Sequence, residues 1–106
     1  MARPAAAMLE RLEERAAEAA QMLKLLANET RLLILCRLVV EREMSAGAIV
    51  AAVGLGQSAV SQHLAKLRDD NLVATRRDAQ TIYYRIADKN VARIIATLKD
   101  IYCREA

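Results

Sequence analysis

Residues able to do chemistry are concentrated in one polar stretch, Gln57-Ser58-Ala59-Val60-Ser61-Gln62-His63-Leu64, in two neighbouring arginines, Arg76 and Arg77, and in two cysteines far apart, Cys36 and Cys103. At helical spacing Val60, Leu64 and Leu67 turn to one side. That leaves Gln57, Ser58, Ser61, Gln62, His63, Lys66 and Arg68 mainly on the other. Hydroxyls and amides near the N-terminal end of a helix can hydrogen-bond base edges, and cations further along can neutralise phosphates. A helix that enters the major groove of DNA needs this combination. An ordinary solvated helix face carries the same residue types. What points to DNA is position: the stretch follows a short capped helix and a tight turn, and precedes a hairpin with Arg76 and Arg77 near its tip and Gln80 in its loop.

His63 is the only histidine. No second His, no Cys and no carboxylate cluster lies near it to complete a coordination set, so it is read as a minor DNA contact; no metal and no cofactor is expected. Cys36 falls in an apolar helix, where a free thiol usually acts as a small hydrophobe. Cys103 falls on a fraying helix end beside Lys99 and Arg104, surroundings that favour the thiolate. The sequence has no Cys-x-x-Cys, and the separation of the two thiols excludes a local zinc knuckle. A thiol enzyme would need a base, and the one histidine lies on the DNA-facing helix, so no enzymatic activity is expected. From the residues alone, the cysteine pair is either inert packing or regulated chemistry.

Several elements must position these groups. Residues 5–26 keep Leu9, Leu12, Ala16, Ala19, Leu23 and Leu26 at amphipathic spacing, which predicts one long first helix. Asn28 is a good N-cap for a second helix, Glu29 to about Glu41, so dense in leucine and valine that it reads as a nearly engulfed core helix. Ser45 caps a short third helix, 46–53, ended by Gly54. A fourth helix follows from Gln57 to about Asp70. The period then changes: 72–77 and 81–86 are β-branched or aromatic runs around Asp78-Ala79-Gln80, a two-stranded hairpin or wing. Asp88 caps a last helix with Val91, Ile94, Ile95, Leu98, Ile101 and Tyr102 on one face.

The expected architecture is therefore mainly α, a winged helix-turn-helix of five helices and a two-stranded wing, in one domain spanning 1–106. Hydrophobic residues make up 55% of 106 positions, more than so small a globule can bury, which predicts a homodimer through the first and last helices. The net charge of +3 permits a nucleic-acid partner without demanding one. No apolar run approaches the roughly 20 residues that span a bilayer, and the charged N-terminus is unlike a signal peptide. A cytoplasmic location is expected, with no membrane association and no standing structural disulfide.

Three strings carry a resemblance to a known family: Leu25-Leu26-Ala27-Asn28-Glu29-Thr30-Arg31-Leu32-Leu33-Ile34-Leu35, then Gln57 to Leu64, then Thr81-Ile82-Tyr83-Tyr84-Arg85-Ile86. In this order they resemble the ArsR family of bacterial repressors over nearly the whole chain. The resemblance implies a dimer through the first and fifth helices, the fourth helix in the major groove of palindromic operator DNA, and an effector that weakens operator binding. Gly56 stands where Ser is frequent in the family, a small change at an N-cap. Where arsenic or cadmium sensors carry a cysteine pair this chain has Glu43-Met44-Ser45-Ala46-Gly47-Ala48-Ile49. Where zinc sensors place Asp and His on the last helix it has Asp88 and Asn90 and no later histidine.

Cys36 and Cys103, with the Arg76–Tyr84 wing, are similar to the persulfide-sensing SqrR and BigR branch. That likeness implies sensing of a persulfide or polysulfide donor by bridge formation between the two thiols. Alternatives are a metal- or metalloid-responsive repressor of the same family, a peroxide-responsive one, and a DNA-binding repressor without effector.

Overall fold

A computed structural model describes residues 4–103, in the order α1 (Pro4–Glu14), α2 (Ala16–Leu26), α3 (Glu29–Glu41), β1 (Met44–Ser45), α4 (Ala46–Val53), α5 (Gln57–Asp69), β2 (Val73–Asp78), β3 (Thr81–Ile86) and α6 (Lys89–Tyr102). The helix-turn-helix is α4–α5 and the wing is β2–β3.

Two expectations about the helices need correction. The single first helix is divided at Arg15 (φ −112°, ψ 14°), giving six helices instead of five. The Arg15 N–H is shared between the carbonyls of Arg11 (3.2 Å) and Leu12 (3.1 Å), a local tightening of the turn, and its guanidinium pairs with Glu18 at 2.7 Å in the opening turn of α2. Helix α3 is also not engulfed. Ile34, Leu35 and Leu38 are buried, but Leu33 and Val40 remain 48% and 58% exposed, because a chain this small covers only one face of its central helix.

Side-chain caps set the helix boundaries as the residue types suggest. Asn28 Oδ1 accepts from the Arg31 N–H at 3.1 Å, Ser45 Oγ from the Ala48 N–H at 3.1 Å, and Asp88 Oδ1 from the Asn90 N–H at 2.8 Å. Gly54, at φ 71°, ends α4 in the left-handed conformation that a side chain disfavours. Arg31 also donates from Nη1 to the Leu25 carbonyl at 3.2 Å, tying the end of α2 to the start of α3.

The wing gains a short third strand that the sequence reading lacked. β1 pairs antiparallel with β3, so the strand order is β1-β3-β2, and Asp78 belongs to β2, which leaves Ala79-Gln80 as the loop. Met44, Tyr84, Ile86 and buried Val73 pack one sheet face onto a core built from Leu25, Leu26, Ile34, Leu35, Leu38, Ile49, Val60, Leu64, Leu67, Val91 and Ile95. The Leu72 N–H donates to the Leu67 carbonyl and its own carbonyl accepts from Ala87, each at 2.9 Å. The base of the wing is thereby bonded to the end of α5.

The molecule is elongated, 58 × 37 × 22 Å with a radius of gyration of 16.3 Å, where a compact chain of this length would have about 13 Å. Met8, Leu9, Leu12 and Leu23 on α1 and α2, and Ile101 and Tyr102 on α6, keep more than half their surface in water.

Gly56 occupies the N-cap of α5 with extended backbone (φ −63°, ψ 154°) and supplies no side-chain cap, while a Cβ built there meets nothing within 4 Å. A Gly56→Ser substitution should therefore add a cap without a clash and stabilise the fold by a few tenths of a kcal/mol, ~0.3. Thermal unfolding should show a slightly raised Tm; a lowered one would contradict the cap geometry.

Candidate nucleic-acid interface and thiol pair

Rotation of α5 is fixed by Val60, Leu64 and Leu67, which are 0%, 2% and 0% exposed. Gln57, Ser58, Ser61, Gln62, Lys66 and Arg68 are all exposed, and His63 is half-buried at the edge of the face. The side chains that could read DNA are thus gathered on one side of one helix. Gln57 and Ser61 border a shallow groove of ≈ 200 Å³ whose other wall is Ala46, Gly47 and Val50 of α4. Lys66 pairs with Asp70 at 3.1 Å, four residues along the helix. Such half-exposed pairs contribute only about 0.3–0.5 kcal/mol, so the ammonium exchanges readily for a phosphate.

On the wing, alternation along β2 sends Arg76 and Arg77 to opposite faces. Arg77 shares the face of Val73 and Thr75, which packs towards the helices, and is exposed close to the tip; Gln80 is exposed in the loop. Arg76 is exposed too, yet its guanidinium is already engaged by Glu43, 2.7 Å away, and lies 4.3 Å from the centroid of the Tyr83 ring. Glu43 and Tyr83 were not singled out from the sequence. A contact across 33 residues leaves no local pattern, although the period-2 alternation of β2 does separate the two arginines.

Cys36 of α3 and Cys103 just past α6 are both unpaired thiols, one half-buried and the other exposed. They line one apolar pocket of ≈ 420 Å³ together with Leu32, Leu98, Lys99 and Tyr102. Partial burial raises the Cys36 pKa above its ordinary value, a nearby Cys103 thiolate raises it further, and the Lys99 ammonium opposes both. The pocket brings together two sulfurs, one of them open to solvent, and a cation. Arg104, the other cation expected beside Cys103, lies outside the described residues.

Among the described residues no group of three His, Cys, Asp or Glu side chains could hold a metal ion, and no helix is long and apolar enough to cross a membrane.

Comparison with known proteins gives the family and the fold. The family model described as bacterial regulatory protein, arsR family, matches residues 28–75, from the cap of α3 through α4 and α5 into β2. The nodulation protein NolR of Rhizobium meliloti is 58% identical over 84 residues, 79% of this chain and 68% of that one. Reduced HlyU from Vibrio cholerae N16961 superposes with a TM-score of 0.83 at 44% identity, covering 90% of this chain and 99% of the other. The transcriptional repressor BigR from Xylella fastidiosa gives a TM-score of 0.83 at 38% identity, covering 91% and 97%. With a six-helix winged helix-turn-helix fold among the described residues, an exposed polar face on α5 and relatives that include named transcriptional regulators, the chain belongs to the ArsR family of bacterial regulatory proteins.

Proposed function

We propose that this protein is a homodimeric repressor that binds palindromic operator DNA through α5 and the wing, and that a persulfide or polysulfide donor releases it by bridging Cys36 and Cys103. The observation that carries the reading is the shared pocket: two thiols far apart in the sequence, Cys36 and Cys103, border one cavity between α3 and the end of α6. The likeness to BigR and to HlyU, a protein whose structure is described as reduced, supports a thiol switch.

On the DNA side, Gln57, Ser58, Ser61, Gln62 and His63 address base edges and nearby phosphates from the first half of α5, Lys66 and Arg68 neutralise phosphates, and Arg77 and Gln80 reach the backbone from the wing. A second protomer is called for by the exposed leucines of α1 and α2 and by Ile101 and Tyr102 of α6. Pairing through these helices covers that surface and sets two α5 helices on one duplex, where half-sites recur about 34–36 Å apart.

The sensing chemistry balances without an external oxidant, because the donor itself carries the oxidised sulfur. The more accessible Cys103 thiolate attacks the sulfane sulfur of a persulfide, forming Cys103–S–SH after proton uptake and releasing the donor's thiol. Cys36 then attacks the inner sulfur, hydrogen sulfide leaves, and a disulfide closes. Each further equivalent of donor inserts one more sulfur before closure and releases one more thiol. The bridge ties the end of α6 to the middle of α3, which packs beneath α4 and α5. With α6 at the dimer interface, a small rotation per protomer is enough to spoil simultaneous docking on two half-sites.

Three outcomes test this. Treatment with glutathione persulfide should give an intramolecular cross-link whose mass shows loss of two hydrogens and, for each further equivalent of donor, gain of one sulfur atom, and should weaken operator binding by roughly tenfold or more. Cys36→Ser and Cys103→Ser should stay bound under the same treatment. Full release of the Cys36→Ser variant would defeat the switch, and release by zinc, cadmium or arsenite instead would favour the metal-responsive alternative. In alkylation time courses near neutral pH, Cys103 should react before Cys36, and the Cys36 rate should keep rising with pH past the ordinary thiol range; the reverse order would remove Cys103 as the attacking group. Sedimentation should give twice the chain mass, reduced to one chain by Leu9→Glu with Leu12→Glu; a monomeric parent protein would sink the dimer.

A further inference from the structure

The wing presents two adjacent arginines that are chemically identical and differently placed. Met44 pairs with Tyr84 and Ser45 with Tyr83, so Glu43, one residue earlier, falls across from Arg85 on the same sheet face as Tyr83. Arg76 pairs directly with Tyr83 from the other side. Its side chain therefore crosses over the Tyr83 ring, 4.3 Å from the centroid, to reach a carboxylate two strands away. It is met there by three charge-assisted hydrogen bonds: Nε donates to Glu43 Oε1 at 3.0 Å and to Oε2 at 2.9 Å, and Nη2 donates to Oε1 at 2.7 Å. These hydrogen bonds from Arg76 are the largest influence holding the Glu43 carboxyl below its usual range, with Arg85 adding to them, so the acceptor is a carboxylate at neutral pH.

The anchor point is itself fixed. Glu43 follows Arg42, a non-glycine residue at φ 70° that closes α3 with its N–H on the Leu38 carbonyl at 2.9 Å. A positive φ of that kind persists where the surroundings hold it. One end of the contact thus sits just past the C-cap of the core helix and the other on the outermost strand of the wing. Arg77, on the opposite face, makes no ion pair or side-chain hydrogen bond among the described residues.

We propose that Arg76 is a positioning residue, withheld from DNA by a Glu43–Tyr83 clasp that fixes the wing relative to α3, and that Arg77 is the wing's phosphate contact. The proposal rests on the DNA-binding reading above. It has an unusual electrostatic sign: removing the negative charge of Glu43 should weaken binding to a polyanion, because a mobile wing no longer delivers Arg77.

The test uses the full-length protein and the operator duplex recovered by selection from a random-sequence pool, titrated over a salt series. Glu43→Gln, Arg76→Gln and the double variant should each weaken binding by a similar amount, about threefold, because all three remove one shared contact. Arg77→Gln should lower the slope of log affinity against log salt by about one per subunit, and Arg76→Gln by much less. Tighter binding by Glu43→Gln, or equal slope losses for the two arginine variants, would overturn the clasp. Amide hydrogen exchange of residues 78–81 gives a readout that needs no DNA: Glu43→Gln and Arg76→Gln should speed it and Arg77→Gln should not. A parent protein unable to bind duplex DNA would remove the functional reading, while exchange left unchanged in Glu43→Gln would remove the clasp by itself.

Discussion

Val60, Leu64 and Leu67 leave water almost completely, and because they recur at intervals of four and three along α5 they fix both the position of that helix and its rotation. Burying three such side chains is worth about 1.5–3 kcal/mol each, far more than any single surface contact of the polar face. The outward direction of Gln57, Ser61 and Gln62 is thus a by-product of apolar packing against α3, α4 and β2. The bond from the Leu72 N–H to the Leu67 carbonyl extends the same constraint into the wing, whose base cannot move independently of α5. Helix α5 and the base of the wing move together because they share one core, whereas the outer part of the wing depends on contacts beyond it.

That core reaches α3 as well, and α3 bears on every part of the candidate mechanism. Its buried face, Ile34, Leu35 and Leu38, supports the reading unit; Cys36 opens from it into the thiol pocket; and Glu43 leaves its C-terminal end for the sheet. A helix with so many obligations has little freedom to shift by a fraction of a turn. Close-packed interiors respond to strain by changing between discrete arrangements, not by bending gradually. A covalent link acting on α3 would accordingly be expressed as a change in the relation of whole units.

Much of this was legible from residue types, wherever a short-range rule governed. Asn28, Ser45 and Asp88 announced helix starts because a side-chain oxygen placed there satisfies an amide that the helix leaves open, and Gly54 announced an end because it tolerates positive φ. The face of α5 was readable from its period. Features set by distant partners were not. The strand Met44–Ser45 is two residues long and exists because β3 lies alongside it, and the Arg76–Glu43 pair joins positions 33 apart. The density of leucine in α3 suggested burial all round, whereas Leu33 and Val40 face water, since periodicity marks apolar faces without saying what covers them. The division at Arg15 had no Pro or Gly to mark it.

Alternation along β2 gives its consecutive arginines unequal standing. Shifting the pairing with β3 by a single residue would leave the composition of the strand untouched, yet it would carry Val73 and Thr75 out into solvent, turn Arg76 inward and leave an arginine at only one of the two sites. A length change of one residue in the hairpin is therefore more damaging than many substitutions within it.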